Sequence, residues 1–138
     1  MKRILLVDDQ AHVLRVIKLS LDRQGFEVDT ALSGDMALAM MRPGAAKRAG
    51  RNGTYDVLIT NADMPGMNGM QLCEAVRRDM LANFPLMFVV GEREDALATA
   101  WARDFVDAEI LEKPMSLLGL VNRLDQHFDD HKLAAAIR

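Results

Sequence analysis

Residues 58–69 read LITNADMPGMNG. The apolar run Val57-Leu58-Ile59 stops at Thr60 and Asn61, and a turn-rich loop with Pro65, Gly66 and Gly69 follows. A short continuous apolar run bounded by turn residues is the mark of a strand covered on both faces. The end of such a strand is a good place to display one reactive side chain. Here that residue is Asn61, a neutral amide, and the question is why an amide stands where the surroundings are arranged for charge.

Outward from this stretch, apolar runs and helical patterns alternate along the whole chain. Ile4–Val7 is a first strand. Val13, Leu14, Ile17 and Leu21 then recur at helical spacing, and Gly25 supplies a stop. Phe26–Thr30 forms a second strand, and Ser33 is placed to cap a helix carrying Met36, Ala37, Met40 and Met41. Tyr55–Thr60 is the third strand, followed by a helix marked by Leu72, Val76 and Met80. Leu86–Val90 is the fourth strand, after Pro85, and the next helix holds Leu97 and Trp101. A short fifth strand, Glu109–Leu111, precedes Lys113-Pro114, and Leu117, Leu120, Val121, Leu124 and Phe128 define a last amphipathic helix. Strict strand–helix alternation implies a parallel sheet with helices on both faces.

Two segments interrupt this scheme. RPGAAKRAGRNGT, residues 42–54, reads as an inserted mobile loop, solvated or offering Lys47, Arg48 and Arg51 to an acidic partner. DDHKLAAAIR, residues 129–138, reads as a helical extension or as a linker toward a further domain. The 138 residues are expected to form one domain, with its core over about 2–128.

Composition narrows the function classes. Half the residues are hydrophobic, and 17 basic against 20 acidic residues give a net charge of -3, which argues against nucleic acid as the main partner. Cys73 is the only cysteine, so no internal disulfide or cysteine-based metal cage forms. No apolar run is long enough to span a bilayer, and the run in MKRILLVDDQ is too short for a signal peptide. The expected setting is the cytoplasm.

In an open parallel sheet, ligands bind beyond the carboxyl ends of the strands, where strand order reverses. The residues at those ends are Asp8 and Asp9 after strand one, Asn61 after strand three, Val90 and Gly91 after strand four, and Lys113 after strand five. Two adjacent carboxylates suit a hard cation such as Mg²⁺, which keeps most of its waters. The lysine can stabilise negative charge on a transferred group. His12 reads as a solvated residue beside the acids, His127 and His131 as surface positions on the last helix, and Cys73 as a packed thiol.

Asp8-Asp9, then MPGMNG after the third strand, then Lys113-Pro114, in this order, resemble the receiver domain of two-component response regulators. The resemblance implies an α/β, flavodoxin-like (βα)5 three-layer sandwich with a five-stranded parallel sheet of order 2-1-3-4-5. In that family an aspartate at the end of strand three takes a phosphoryl group from a histidine kinase, assisted by Mg²⁺. A Ser or Thr after strand four and an aromatic residue on strand five sense it. A surface of helix four, strand five and helix five then changes its partners.

Carried over residue by residue, Asp8 and Asp9 match the metal-binding pair, Asp63 the residue whose backbone carbonyl meets the metal, and Lys113 the phosphate-binding lysine, with a cis bond expected before Pro114. Asn61, however, stands at the phosphoacceptor position, Val90 at the Ser/Thr switch position and Ile110 at the aromatic switch position. An amide is a poor nucleophile toward phosphorus, so a stable phosphoryl adduct is not expected. Loss of one carboxylate implies weak Mg²⁺ binding at Asp8, Asp9 and the Asp63 carbonyl.

The reading is an atypical response regulator receiver that works in phosphorelay signalling by protein–protein contact, without aspartate phosphorylation and without enzymatic activity. Its partner surface would include Trp101, Ile110 and Lys113, and its partners a histidine kinase or another signalling protein. The same helix 4–strand 5–helix 5 face would serve a homodimer; neither specific nucleic-acid binding nor a membrane is expected. The alternative is a conventional Mg²⁺-dependent, phosphoryl-accepting receiver, captured as a variant with Asn61 in place of the acceptor aspartate and detached from a DNA-binding output domain.

Overall fold

The computed structural model describes residues 2–42, 55–80, 85–92, 96–113 and 116–137. Among the described residues, five strands, β1 (Arg3–Val7), β2 (Glu27–Ala31), β3 (Val57–Asn61), β4 (Leu86–Glu92) and β5 (Ala108–Lys113), alternate with five helices. The helices are α1 (Ala11–Arg23), α2 (Gly34–Met41), α3 (Gly69–Met80), α4 (Ala96–Asp104) and α5 (Leu117–Ile137). The sheet is parallel throughout, in the order β2-β1-β3-β4-β5. This is the flavodoxin-like (βα)5 sandwich that the alternation and the resemblance imply.

The two-residue period of the strands divides the core into two layers. Leu5, Val7, Leu58, Met87 and Val89 point to the side covered by α2 and α3, with Leu38, Met41, Leu72 and Val76 opposite. Ile4, Leu6, Val57, Ile59 and Phe88 point to the other side and meet Leu14 and Leu21 of α1 and Leu120 and Leu124 of α5. Both faces are apolar, so the strands read as unbroken runs.

Strand ends shift by one or two residues from the sequence expectation. β2 starts at Glu27 instead of Phe26, since Glu27 N already bonds Lys2 O at 3.0 Å. β3 starts at Val57 instead of Tyr55 and reaches Asn61, and β4 runs on to Glu92. β5 is twice the expected length, because β4 offers it partners as far as Glu92 opposite Lys113. Lys113 is therefore the last residue of a strand, its backbone held by the sheet. Ser33 caps α2 as expected, its hydroxyl accepting from Met36 N at 3.1 Å. The expected loop is described only at Arg42, and Lys47, Arg48 and Arg51 lie outside the described residues, as does Pro114. The backbone of α5 continues through the expected extension to Ile137.

Candidate functional site

The carboxyl edge of the sheet brings together Asp8, Asp9, Asn61, Asp63 and Lys113. Backbone pairing sets this edge. Asn61 lies opposite Val90 in the β3–β4 register, and Ala62 N bonds Val90 O at 2.9 Å. On the other side, Asp8 N bonds Ala31 O at 3.2 Å, which keeps the acidic pair level with the end of β3.

The loop after Asn61 is folded tightly. Gly66 takes a φ of 74°, a left-handed turn position that a side chain would disfavour. Gly69 N donates to Ala62 O at 2.9 Å, and a Cβ on Gly69 would come within 2.3 Å of the Asn61 carbonyl oxygen. Only glycine allows α3 to start so close to the end of β3. Asn68 and Gln71 close the turn reciprocally: Asn68 N donates to Gln71 Oε1 at 2.9 Å, and Gln71 N to Asn68 Oδ1 at 2.8 Å. This is a capping box, legible as Asn-x-x-Gln but not singled out in the sequence reading.

Within this frame Asn61 is half-buried and its side chain has a defined partner. Its Nδ2 donates to the backbone carbonyl of Asp63 at 2.9 Å. A carboxylate at 61 could only accept, and would repel that carbonyl instead of binding it. The amide thus clasps its own loop.

The acidic pair is less comfortable. Burial raises the pKa of Asp8 above its usual value; the Gln10 backbone N–H, donating to Oδ1 at 2.9 Å, pulls it back, while Asp9 raises it and Lys113 lowers it. Gln10 is a second residue that sequence reading missed, and no sequence signal marks it beyond its place before α1.

Asp9, Asn61, Asp63 and Lys113 line an open cleft of about 530 Å³, together with Gly91, Glu92 and Leu97. A separate cavity of about 320 Å³ extends from Asp8, Asn61 and Lys113 on the α1–α5 side of the sheet. Val90 belongs to that side and Ile110 to the other, each half-buried against its own core layer. Neither carries a polar group into the cleft.

The acidic pair and its watery cleft fit the needs of Mg²⁺, which accepts one or two carboxylates and several waters. At the third position the Asp63 carbonyl already accepts one hydrogen bond from Asn61, which leaves one lone pair for a cation. Among the described residues, no three carboxylate, histidine or cysteine groups gather as a metal site. His12 is exposed, and His127 instead meets Glu109 at 3.3 Å and the edge of Phe88 at 5.5 Å. The side chain of His131 lies outside the described residues. Cys73 is fully buried, and burial, then Glu74, pushes its thiol up to about 12, so it is inert packing.

Trp101 does not lie free on the surface. It stacks on Phe105 with centroids 4.7 Å apart, and its Nε1 donates to Glu74 Oε1 of α3 at 2.7 Å. Arg77 of α3 also pairs with Asp107 at 2.8 Å, just before β5. Two bonds therefore tie α3 to α4 and the turn that follows.

Comparison with known proteins agrees with this geometry. Residues 4–125 match the model of the response regulator receiver domain. The chain is 31% identical over 129 residues to the chemotaxis protein CheY of Pseudomonas aeruginosa, covering 92% of this chain and 96% of that one. It is 29% identical over 94 residues to the transcriptional regulatory protein ResD of Bacillus subtilis, covering 68% of this chain and only 35% of ResD. Among solved structures, a response regulator receiver domain protein from Clostridium thermocellum superposes with a TM-score of 0.76 at 25% identity, covering 97% of this chain and 99% of that one. Among the described residues, no helix is long and apolar enough to cross a membrane.

Proposed function

The chain belongs to the response regulator receiver domain family, and from that premise we propose that it is an atypical receiver, acting in two-component signalling by protein–protein contact without phosphorylation of an aspartate. On this reading residues 1–138 form a single cytoplasmic receiver domain. Receiver domains are signalling modules rather than classical enzymes, and they exchange contacts with histidine kinases and other signalling proteins.

One observation carries the reading: the side chain at the acceptor position is an amide whose nitrogen is bonded to the Asp63 carbonyl at 2.9 Å. A phosphoryl acceptor needs an anionic oxygen aimed at phosphorus. Asn61 has neither the charge nor a free side chain. Val90 has no hydroxyl to offer a phosphoryl oxygen, and aliphatic Ile110 is half-buried against the core layer with no ring to rotate. Lys113 retains its place near Asp8, where it screens the acidic pair instead of a transferred group.

Receiver domains typically bind Mg²⁺, which supplies charge neutralisation when bound. In this chain Asp8 and Asp9 would hold it weakly, with the Asp63 carbonyl offering its second lone pair beside the bond from Asn61. The partner surface is α4–β5–α5, where Trp101, Ile110 and Lys113 stand. The Trp101–Glu74 and Arg77–Asp107 bonds support one fixed arrangement of that face. A histidine kinase, another signalling protein or a second copy of this chain is the expected occupant.

The intact acidic pair and lysine favour one other reading: a conventional receiver with Asn61 in place of its aspartate, part of a longer regulator as ResD is. Intact mass after incubation with Mg²⁺ and acetyl phosphate separates the two. The chain as given gains no phosphoryl group; if it gains one, the proposal fails. Asn61→Asp is expected to respond poorly, because Val90 offers a phosphoryl oxygen no hydroxyl and Ile110 is no aromatic switch. Ready phosphorylation of Asn61→Asp, with a shift of the Trp101 environment, would favour the conventional receiver.

A further inference from the structure

The cavity of about 320 Å³ opens at the point where strand order reverses, between β1 and β3, and runs under α1 and α5. Its walls are Val13 and Ile17 of α1, Ile59 and Val90 of the sheet, and Leu117 and Leu120 of α5. Its polar lining consists of residues at or beyond the strand ends: Asp8, Gln10, Asn61, Lys113 and Ser116. An apolar chamber with a few polar groups at one end, at a topological switch point, is the usual form of a small-molecule site.

We propose that this cavity binds a small, mainly apolar monocarboxylate, its tail between α1 and α5 and its head against Lys113 and the start of α5. Valine at position 90 makes the wall continuous, where a hydroxyl would break it.

Charge selects the head. Lys113 contributes a full positive charge at the mouth. Ser116 caps α5, its hydroxyl accepting from Gly119 N at 2.9 Å, so the positive end of that helix dipole lies there too. Asp8 stands on the same lining and shares Lys113 with any bound head, so it weakens a monoanion and opposes a phosphate dianion more strongly. Asn61 has turned its amide nitrogen to the Asp63 carbonyl, so it leaves the anion to Lys113. The apolar end would otherwise stand dry or badly hydrated, and filling it stabilises the fold. Leu117 and Leu120 sit on the helix that borders the partner surface, so occupancy would set the packing of α5 and be felt there.

The inference rests on the proposed unphosphorylated state, because a phosphoryl group at the site would compete for Lys113; the intact-mass measurement tests that state separately. Its test is an amide-resolved NMR titration of the whole chain with octanoate and, separately, octanol. Octanoate should give saturable shifts at Ile17, Ile59 and Leu120, and octanol should bind more weakly. Lys113→Ala should weaken octanoate about tenfold and leave octanol unchanged. Ile17→Trp, which fills the cavity, should abolish both; Leu117→Trp at the rim serves the same purpose if the first variant loses the native spectrum. Absence of saturable shifts at these residues overturns the proposal, as does octanol matching octanoate, or undiminished binding in a folded cavity-filling variant.

Discussion

The two ends of the sheet treat charge in opposite ways. At the amino end, Arg3 is buried beside opposite charge and a ring face: Glu27 at 3.5 Å, Asp29 at 3.7 Å and the Tyr55 ring at 5.1 Å. Tyr55 in turn donates its hydroxyl to Asp29 at 2.5 Å, and Arg3 N donates to Asp56 Oδ2 at 2.8 Å. At the carboxyl end, two acids stand side by side with one lysine, and burial leaves Asp8 harder to ionise than an ordinary carboxylate. One end is a network of opposite charges that links β1, β2 and the start of β3. The other is a local conflict, kept where a ligand can reach it. Paired charge marks structure, and unresolved charge in a cleft marks function.

The largest effect should come from breaking the amino end. Arg3→Ala removes the cation shared by Glu27, Asp29 and Tyr55 and leaves the partly buried Asp29 without it. Urea unfolding should show a loss of about 3 kcal/mol, the scale for removing one partner of a buried pair. A change near zero would mean that the network is ornament and the contrast between the ends false.

The opposite sign is expected at the other end. Asp8→Asn should stabilise the chain near neutral pH, by less than about 1 kcal/mol because solvent screens this half-exposed group. Asp8 has a raised folded pKa, so the native state holds its proton more tightly than the unfolded chain does. The cost of its charge is therefore present above that raised value and disappears as pH falls through it toward 3.8. Melting curves across that range, in chelator, should show the advantage of Asp8→Asn shrink with acid. A variant that melts lower at neutral pH would show the acidic pair to be structural.

Much of this layout was legible in the sequence, and the exceptions have physical causes. The buried runs Ile4–Val7, Val57–Ile59 and Leu86–Val90 declare strands because both faces are covered. Glu112 and Lys113 hid the end of β5, since polar letters conceal a ladder that only the partner strand reveals. Asp8, Asp9, Asn61 and Lys113 could be placed at one edge because parallel topology aligns strand ends. The bond from Asn61 to the Asp63 carbonyl was not legible, because it depends on how the turn at Pro65 and Gly66 bends the loop back. Nor was the division of the site into an acid cleft and an apolar cavity, which depends on how α1 and α5 pack over the strand ends. The Arg3 network joins residues distant in sequence, and no periodicity records such pairs.

The smallest effect is the most discriminating test of the contrast. Glu27 faces Arg3 from the rim, with half of its side chain exposed against a tenth for Arg3. A partner so wetted adds little Coulomb energy, and ordering it costs side-chain entropy. Glu27→Gln removes the charge and keeps the shape, while Asp29 and the Tyr55 ring still meet the guanidinium. Its cost should stay within about 0.5 kcal/mol and vanish in high salt. Arg3→Ala should remain costly under the same salt, because Asp29, Tyr55 and the sheet shield that site from ions. If the two variants lose stability equally and respond alike to salt, then Arg3 is held from the rim, and the amino end of the sheet is as open to solvent as the acid cleft.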